Sequence, residues 1–305
     1  MSLAEVSPDD VPLVRRVSFD WPESHTDHWH HSMPEFGAGA NAISLLMPYA
    51  EPYGVGMIRK GLAESDADDE LVEHAESLMR QETAHLRAHK EFNKSLTAHS
   101  RTARILEKAG KWIFRMLGKR STAFGVAFAA AFEIVAFASA RWAEAGLRKY
   151  FSGADEQSAT LFLWHLAEEI EHKGIAHDVL LSHPTARSKY KFALPVAFVV
   201  LIGFTAVGGL SLFATSRYVL NPIRWARLVG WGVSFAFVVM PVAFSSLAKD
   251  FHPRSLVDPP WMQMWLSEFD PETNTMPLWT DAGLGRQSTS AIAVTDDNPI
   301  ESLAA

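Results

Sequence analysis

This chain predicts an all-α fold, on three observations. Apolar residues recur at helical spacing through most of its length, with little of the alternation that marks strands. Two pairs of such segments are joined by one long connector. Beyond them lie two apolar runs, each about as long as a bilayer-crossing helix. With 305 residues, 48% of them hydrophobic, the chain can bury one large core with appendages.

Residues 1–37 hold Pro8, Pro12, Pro22 and Pro34 and the histidine-rich SHTDHWHHS, and read as an N-terminal segment packed on a helical bundle. A first helix is expected around Ala40–Leu62, kinked or interrupted near Pro48 and Pro52, because proline lacks the N–H and crowds the preceding turn. A second runs from about Asp66 to Thr97 and opens in the acidic ESDADDE, which suits a helix N-terminus. Residues 98–120 set Arg101, Arg104, Lys108, Lys111, Arg115, Lys119 and Arg120 against Glu107 alone, with apolar Ile105, Trp112, Ile113, Phe114 and Leu117 among them. This is a basic amphipathic crossover. Third and fourth helices are expected over roughly Thr122–Tyr150 and Glu156–Ser182. Two helical hairpins joined this way, over residues 38–185, match the layout of a ferritin-like four-helix bundle.

The runs Phe192–Thr215 and Leu228–Leu247, linked by SRYVLNPIRWAR, form an apolar helical hairpin within residues 186–257. It reads as a membrane element that spans a bilayer or dips into one leaflet; the alternative is a pair of buried helices in a larger soluble core. Arg187, Lys189, Lys191, Lys249 and Arg254 mildly favour the bundle side as cytoplasmic. Residues 258–305, rich in Pro, Thr, Ser and acid, are expected to be largely disordered.

Composition narrows the chemistry. A formal charge of −7 argues against nucleic acid as the main partner. Cysteine is absent, which removes disulfides, thiolate nucleophiles and cysteine-ligated metals. Any metal must rest on His, Glu and Asp. The first residues lack the basic start and apolar core of a secretion signal, so the expected location is cytoplasmic, at the inner face of the inner membrane if the hairpin inserts.

Residues 164–178, WHLAEEIEHKGIAHD, concentrate that chemistry. At about 100° per residue, Glu169 and His172 fall within about 60° of each other, with His165 on the same stripe. The second helix repeats the Glu-x-x-His spacing as Glu82 and His85, with His89 one turn on. Two such helices make half of a dimetal-carboxylate site. The other half needs one glutamate from each remaining helix. Glu51 is the one acid between Asn41 and Leu62, and Glu133 is the one charge between Thr122 and Ala140. A lone glutamate in so apolar a helix is costly to bury unless a metal or a partner satisfies it. Glu51, Glu82, His85, Glu133, Glu169 and His172 are therefore the expected ligands of two divalent cations.

His89 and His165 are read as extra ligands or as groups behind the ligands, the latter preferred. Glu168, Glu171 and His177 point off the stripe, toward the surface or behind the ligands. His25, His28, His30 and His31 suggest a loop near the bundle mouth. The zincin-like spacing of His85 and His89 is set aside, because Leu86 occupies the place of the general-base glutamate.

In order and spacing, VRRVSFDWPE, HWHHSMPEFGAGANAISLLMPYAEPY, QETAHLRAH, FEIVAFASARW and WHLAEEIEHKGIAHDV resemble the bacterial predicted metal-dependent hydrolase family, over roughly residues 13–255. The resemblance implies a ferritin-like fold and metal binding. It departs from that family at the first ligand, where YAEPYGVG stands in place of a Gly-Glu-Arg sequence.

A carboxylate-rich donor set favours iron, with manganese possible and zinc disfavoured. The first expectation is thus a membrane-associated diiron enzyme that activates dioxygen to oxidise a hydrophobic or lipid-like substrate, fed by an electron-donor protein. The alternatives are a metal-dependent hydrolase of ester or phosphoryl substrates and a non-catalytic metal-binding bundle.

Overall fold

The computed structural model describes residues 11–15, 17, 19, 21, 29–272, 275–280 and 291–293. Among the described residues the regular structure is helical, apart from a short antiparallel pairing of Thr275–Pro277 with Ala291–Ala293 and two isolated bridges, His30 with Ala154 and Asp270 with Thr275. Four helices surround the candidate site: α1 (Pro34–Ala63), α2 (Asp69–His99), α4 (Thr122–Ala145) and α6 (Glu156–Ser182). Helix α1 packs on α2 and α4 on α6, and the bundle closes through α2–α6 and α1–α4 contacts. The crossover forms α3 (Arg101–Leu117), which lies on α1 and touches α2.

The local chemistry explains these boundaries. Asp68, Ser100, Ser121 and Asp155 accept hydrogen bonds from backbone N–H groups in the first turns of α2, α3, α4 and α6. Helix α1 begins at Pro34, where proline's missing donor costs nothing. That start lies inside the segment expected to precede the bundle. The interruption allowed for at Pro48 and Pro52 does not occur, because the helix continues through both. Pro48 cannot donate to the Ser44 carbonyl four residues back, and Asn93 Nδ2 on α2 donates to that oxygen instead, at 2.7 Å.

The third expected helix divides into α4 and the short α5 (Leu147–Phe151). Beyond α6, a continuous helical stretch comprises α7 (Ala186–Phe198), a π-turn (Val199–Gly203) and α8 (Phe204–Ala214), and α9 (Pro222–Ser245) returns alongside. Helix α7 packs on α4, α8 on α1, and α9 on both. Small residues permit this seating: a Cβ on Gly209 would lie 3.1 Å from the Gly39 backbone, and one on Gly39 would strike the Trp231 ring at 2.2 Å. By length and composition, Thr122–Ala145, Ala186–Ala214 and Pro222–Ser245 could each cross a membrane. Helix α4 is buried over most of its length, whereas well under half of each of the other two is buried.

The expectation of disorder beyond residue 257 is corrected for residues 258–272 and 275–280. Helix α10 (Pro260–Leu266) packs on α6. Met262, Trp265, Phe269, Met276 and Trp279 are buried, and the Trp279 N–H donates to Thr160 Oγ1 at 2.8 Å. These large side chains bring enough apolar surface to offset the ordering entropy that the Pro- and Ser-rich composition suggested would prevail.

Candidate metal centre

All six expected ligands are buried, and they meet in the middle of the bundle as two adjoining groups. Glu51, His85 and His165 offer atoms within 4.8 Å of one another, as do Glu82, Glu133, Glu169 and His172. Each of the four bundle helices therefore contributes. Glu51 joins the cluster although its surroundings depart from the family pattern. The YAEPYGVG stretch is plain α-helix, so its spacing still turns the carboxylate inward.

Two glutamates touch both groups. Glu82 sets Oε1 at 2.8 Å from His172 Nδ1 and Oε2 at 3.9 Å from His85 Nδ1. Glu169 sets Oε2 at 3.4 Å from His172 Nδ1 and Oε1 at 2.7 Å from His165 Nε2. Glu133 lies 3.7 Å from His172 Nδ1 in the second group, and Glu51 3.9 Å from His165 Nδ1 in the first. Two carboxylates shared and two terminal is the distribution expected for a pair of cations in such a bundle.

Buried polar atoms without partners test whether cations fit. Both oxygens of Glu51, one each of Glu82, Glu133 and Glu169, and Nδ1 of His85 and His172 lack a hydrogen bond of ordinary geometry. Seven such donors buried close together would be a severe penalty in an apolar interior without a counter-charge, and Glu51, Glu82, Glu133 and Glu169 line one small space among them. The space is about 10 Å³, about the size that holds one water or a small ion. All donors are carboxylate or imidazole, which suits divalent first-row metals.

The opposite face of each imidazole expected to be a ligand is held. His85 Nε2 donates to Glu168 at 2.9 Å, and His172 Nε2 donates to the Gln81 side-chain oxygen at 2.8 Å. Gln81 and Glu168 each precede the glutamate of a Glu-x-x-His pair, and each holds the histidine of the other helix. Arg15, from the N-terminal segment, reaches Glu168 at 3.1 Å and Glu171 at 3.1 and 3.2 Å, while Gln81 donates to Glu171 at 2.7 Å. Such bonds fix the tautomer and leave Nδ1 facing the cluster. The surface alternative for Glu168, Glu171 and His177 is thus corrected: Glu168 and His177 are fully buried and Glu171 is half-buried.

His165 lies within the first group, but both its nitrogens are engaged, Nε2 by Glu169 and Nδ1 by His89 Nε2 at 2.7 Å. His89 continues to Ser44 at 2.8 Å, and Ser44 to Asn93. His89 therefore stands behind the cluster, and His165 between that chain and the ligands. His30 is elsewhere, buried beside α5 with Nε2 donating to the Tyr150 carbonyl at 2.8 Å. His31 is exposed, and His25 and His28 lie outside the described residues.

The electrostatics reflect crowding. Burial, then the charges of Glu82, Glu169 and Glu133, push the Glu51 carboxyl well above its ordinary range. Burial and then Glu169 push Glu133 up in the same way. Burial also works against charge on Glu82, but His172 and His85 outweigh it and bring that carboxyl down to about 2. His85 is drawn up to about 9, because the hydrogen bond to Glu168 and the nearby Glu82 carboxylate overcome its burial. The cluster thus balances its charge with protons on some members, as cations would from outside.

Nothing in the sequence pattern singles out Arg15, and the one signal for Gln81 is its place just before Glu82, matching Glu168 before Glu169. A family model described as predicted metal-dependent hydrolase matches residues 13–256, a span that begins just before Arg15. Searches of curated proteins and of solved structures return no match. The chain belongs to the family of predicted metal-dependent hydrolases.

Proposed function

We propose that the buried cluster holds two divalent cations and that the protein is a metal-dependent hydrolase of ester or phosphoryl substrates. The observation behind this reading is the pair of adjoining donor groups joined by Glu82 and Glu169, in a chain of this family. Glu51 and His85 would hold one cation, Glu133 and His172 the other, with Glu82 and Glu169 shared and His165 positioned behind them by Glu169 and His89. Bound cations would supply Lewis acidity and a water of lowered pKa.

The chain's own residues set the remaining conditions. Glu168 and Gln81 keep both imidazoles aimed, and the His85 hydrogen bond together with the Arg15 charge keeps Glu168 ionised despite its burial. The cavity is lined by Ile58, Leu78 and Phe128 besides the ligands, which exclude bulk water. Among the described residues that line it, Gly54 and Phe132 alone are half-exposed, so they mark the mouth. Hydrolysis of chromogenic esters and phosphoesters by cation-loaded protein under nitrogen tests this reading. Turnover should persist without oxygen and stop on chelation.

The donor set supports a second reading. Four glutamates in an apolar pocket suit redox-capable iron better than zinc, and an oxidase would share the same ligands. Oxygen uptake by the iron-loaded protein, with no hydrolysis under nitrogen, would favour it.

A further inference from the structure

The hairpin's outer surface stands apart from the metal chemistry. From residue 192 to 216 and from 228 to 248 the chain carries no charged residue. The inward faces pack on α1 and α4, and the outward faces stay open: Val199, Val207, Leu210, Val233, Phe237 and Phe244 are exposed, Phe237 at 75%. An apolar surface this continuous marks an interaction site.

Its seating argues against a hairpin that crosses a bilayer. Helix α8 lies on α1 with Gly208 beside Ala42 and Gly209 against Gly39, and α9 sends Trp231 to Gly39. The same α1 carries α2, whose exposed Glu73, Glu76, Arg87, Lys90, Glu91 and Lys94 run along its length. A bilayer that took the hairpin end to end would draw this charged row into hydrocarbon. Water on the α2 side and lipid on the hairpin side satisfies both surfaces.

Helix α3 identifies the occupant. It touches α8, with Leu106 near the position a Gly208 Cβ would take. Its exposed Ile105, Trp112 and Met116 fall within about 40° of one another at 100° per residue. Exposed Lys108, Lys111, Arg115 and Lys119 flank that stripe. An outward apolar stripe containing tryptophan beside a row of cations suits the boundary between headgroups and acyl chains. A second copy of the chain would instead bring the same cations against themselves.

We propose that the outward faces of α7, α8 and α9, edged by α3, dock the protein flat on one leaflet of an anionic bilayer without crossing it.

The chain has no cysteine, so single-cysteine probes are clean. The full chain carrying V207C, F237C, R217C, K189C or E91C would be mixed with sealed phosphatidylglycerol-containing vesicles. A polarity-sensitive label at V207C and F237C should report an apolar environment only with vesicles, and one at E91C should not. An impermeant thiol reagent added outside should reach both R217C and K189C, which lie at opposite ends of the hairpin. Replacing Lys111 and Arg115 by Gln should weaken vesicle binding by about thirtyfold and leave the unfolding temperature unchanged. A site at Arg217 reachable only from the vesicle interior would overturn the proposal in favour of a spanning hairpin. A label at F237C that responds to protein concentration without lipid would overturn it in favour of a dimer. Equal binding to neutral and anionic vesicles would overturn the role of α3.

Discussion

Glu168 accepts a hydrogen bond from Nε2 of His85 at 2.9 Å, and this one contact turns Nδ1 of His85 toward Glu82 and the interior cluster. Its counterpart is the bond from His172 to Gln81, so each ligand helix aims the imidazole of the other. Replacing Glu168 by Gln should therefore lower cation affinity by about 10–100-fold while all six ligands remain. Competition with a chromogenic chelator measures this. Unchanged affinity would mean that Glu168 serves only to neutralise Arg15.

Glu133 sits mid-helix in α4 among buried Ala130, Ala131, Ile134 and Phe137. Without a cation, its burial is a net expense in an apolar helix. Glu133→Leu should raise the stability of the cation-free protein by about 1–4 kcal/mol, as for other buried charges replaced by hydrophobes. The same variant should lose one of its two cations. Denaturant unfolding with and without chelator, combined with metal content, reads both effects.

His177 tests the bundle away from the cluster. It is fully buried, neither ring nitrogen makes a hydrogen bond of ordinary geometry, and its pKa falls from 6.5 to about 4, chiefly through burial and then the charges of His252 and Arg187. Because the folded pKa lies below the unfolded one, the unfolded chain takes up the proton first as pH falls. The stability contribution is complete above about pH 6.5 and declines toward pH 4. Relative to His177→Leu, the protein should lose about 2 kcal/mol between pH 7 and pH 5. Urea unfolding at both pH values checks the difference, and parallel curves for the two proteins would refute it.

Gly54 borders the cavity, and a Cβ placed there meets nothing within 4 Å. Gly54→Leu should stabilise α1 by up to about 1 kcal/mol, since glycine is a poor helix former. It should also slow turnover of a chromogenic ester by about tenfold or more by filling the mouth, with cation content unchanged. Equal turnover would place the entrance elsewhere.

Much of this arrangement was legible in the chain. The Glu-x-x-His spacings and the isolated Glu51 and Glu133 bring six side chains to one place because helical periodicity fixes which residues share a face. What lay behind them was less visible. Arg15 belongs to an N-terminal segment without helical pattern, and its role depends on where that segment crosses the bundle. Gln81 and Glu168 sit about 100° off the ligand stripe, which left a surface place open for Glu168, yet the neighbouring helix covers that face. Their shared position, one residue before each ligand glutamate, was the available signal. The continuity of α1 through Pro48 was hidden for a similar reason, because the donor that rescues the Ser44 carbonyl comes from Asn93 on another helix.

Elemental analysis of the purified protein, before and after saturation with iron, manganese or zinc and removal of excess, decides whether the bundle holds a cation pair. Two cations per chain are expected, falling to one or none in Glu82→Gln, because Glu82 reaches both donor groups. No bound cation in the folded wild-type protein, or two retained by Glu82→Gln, would contradict a shared two-cation centre.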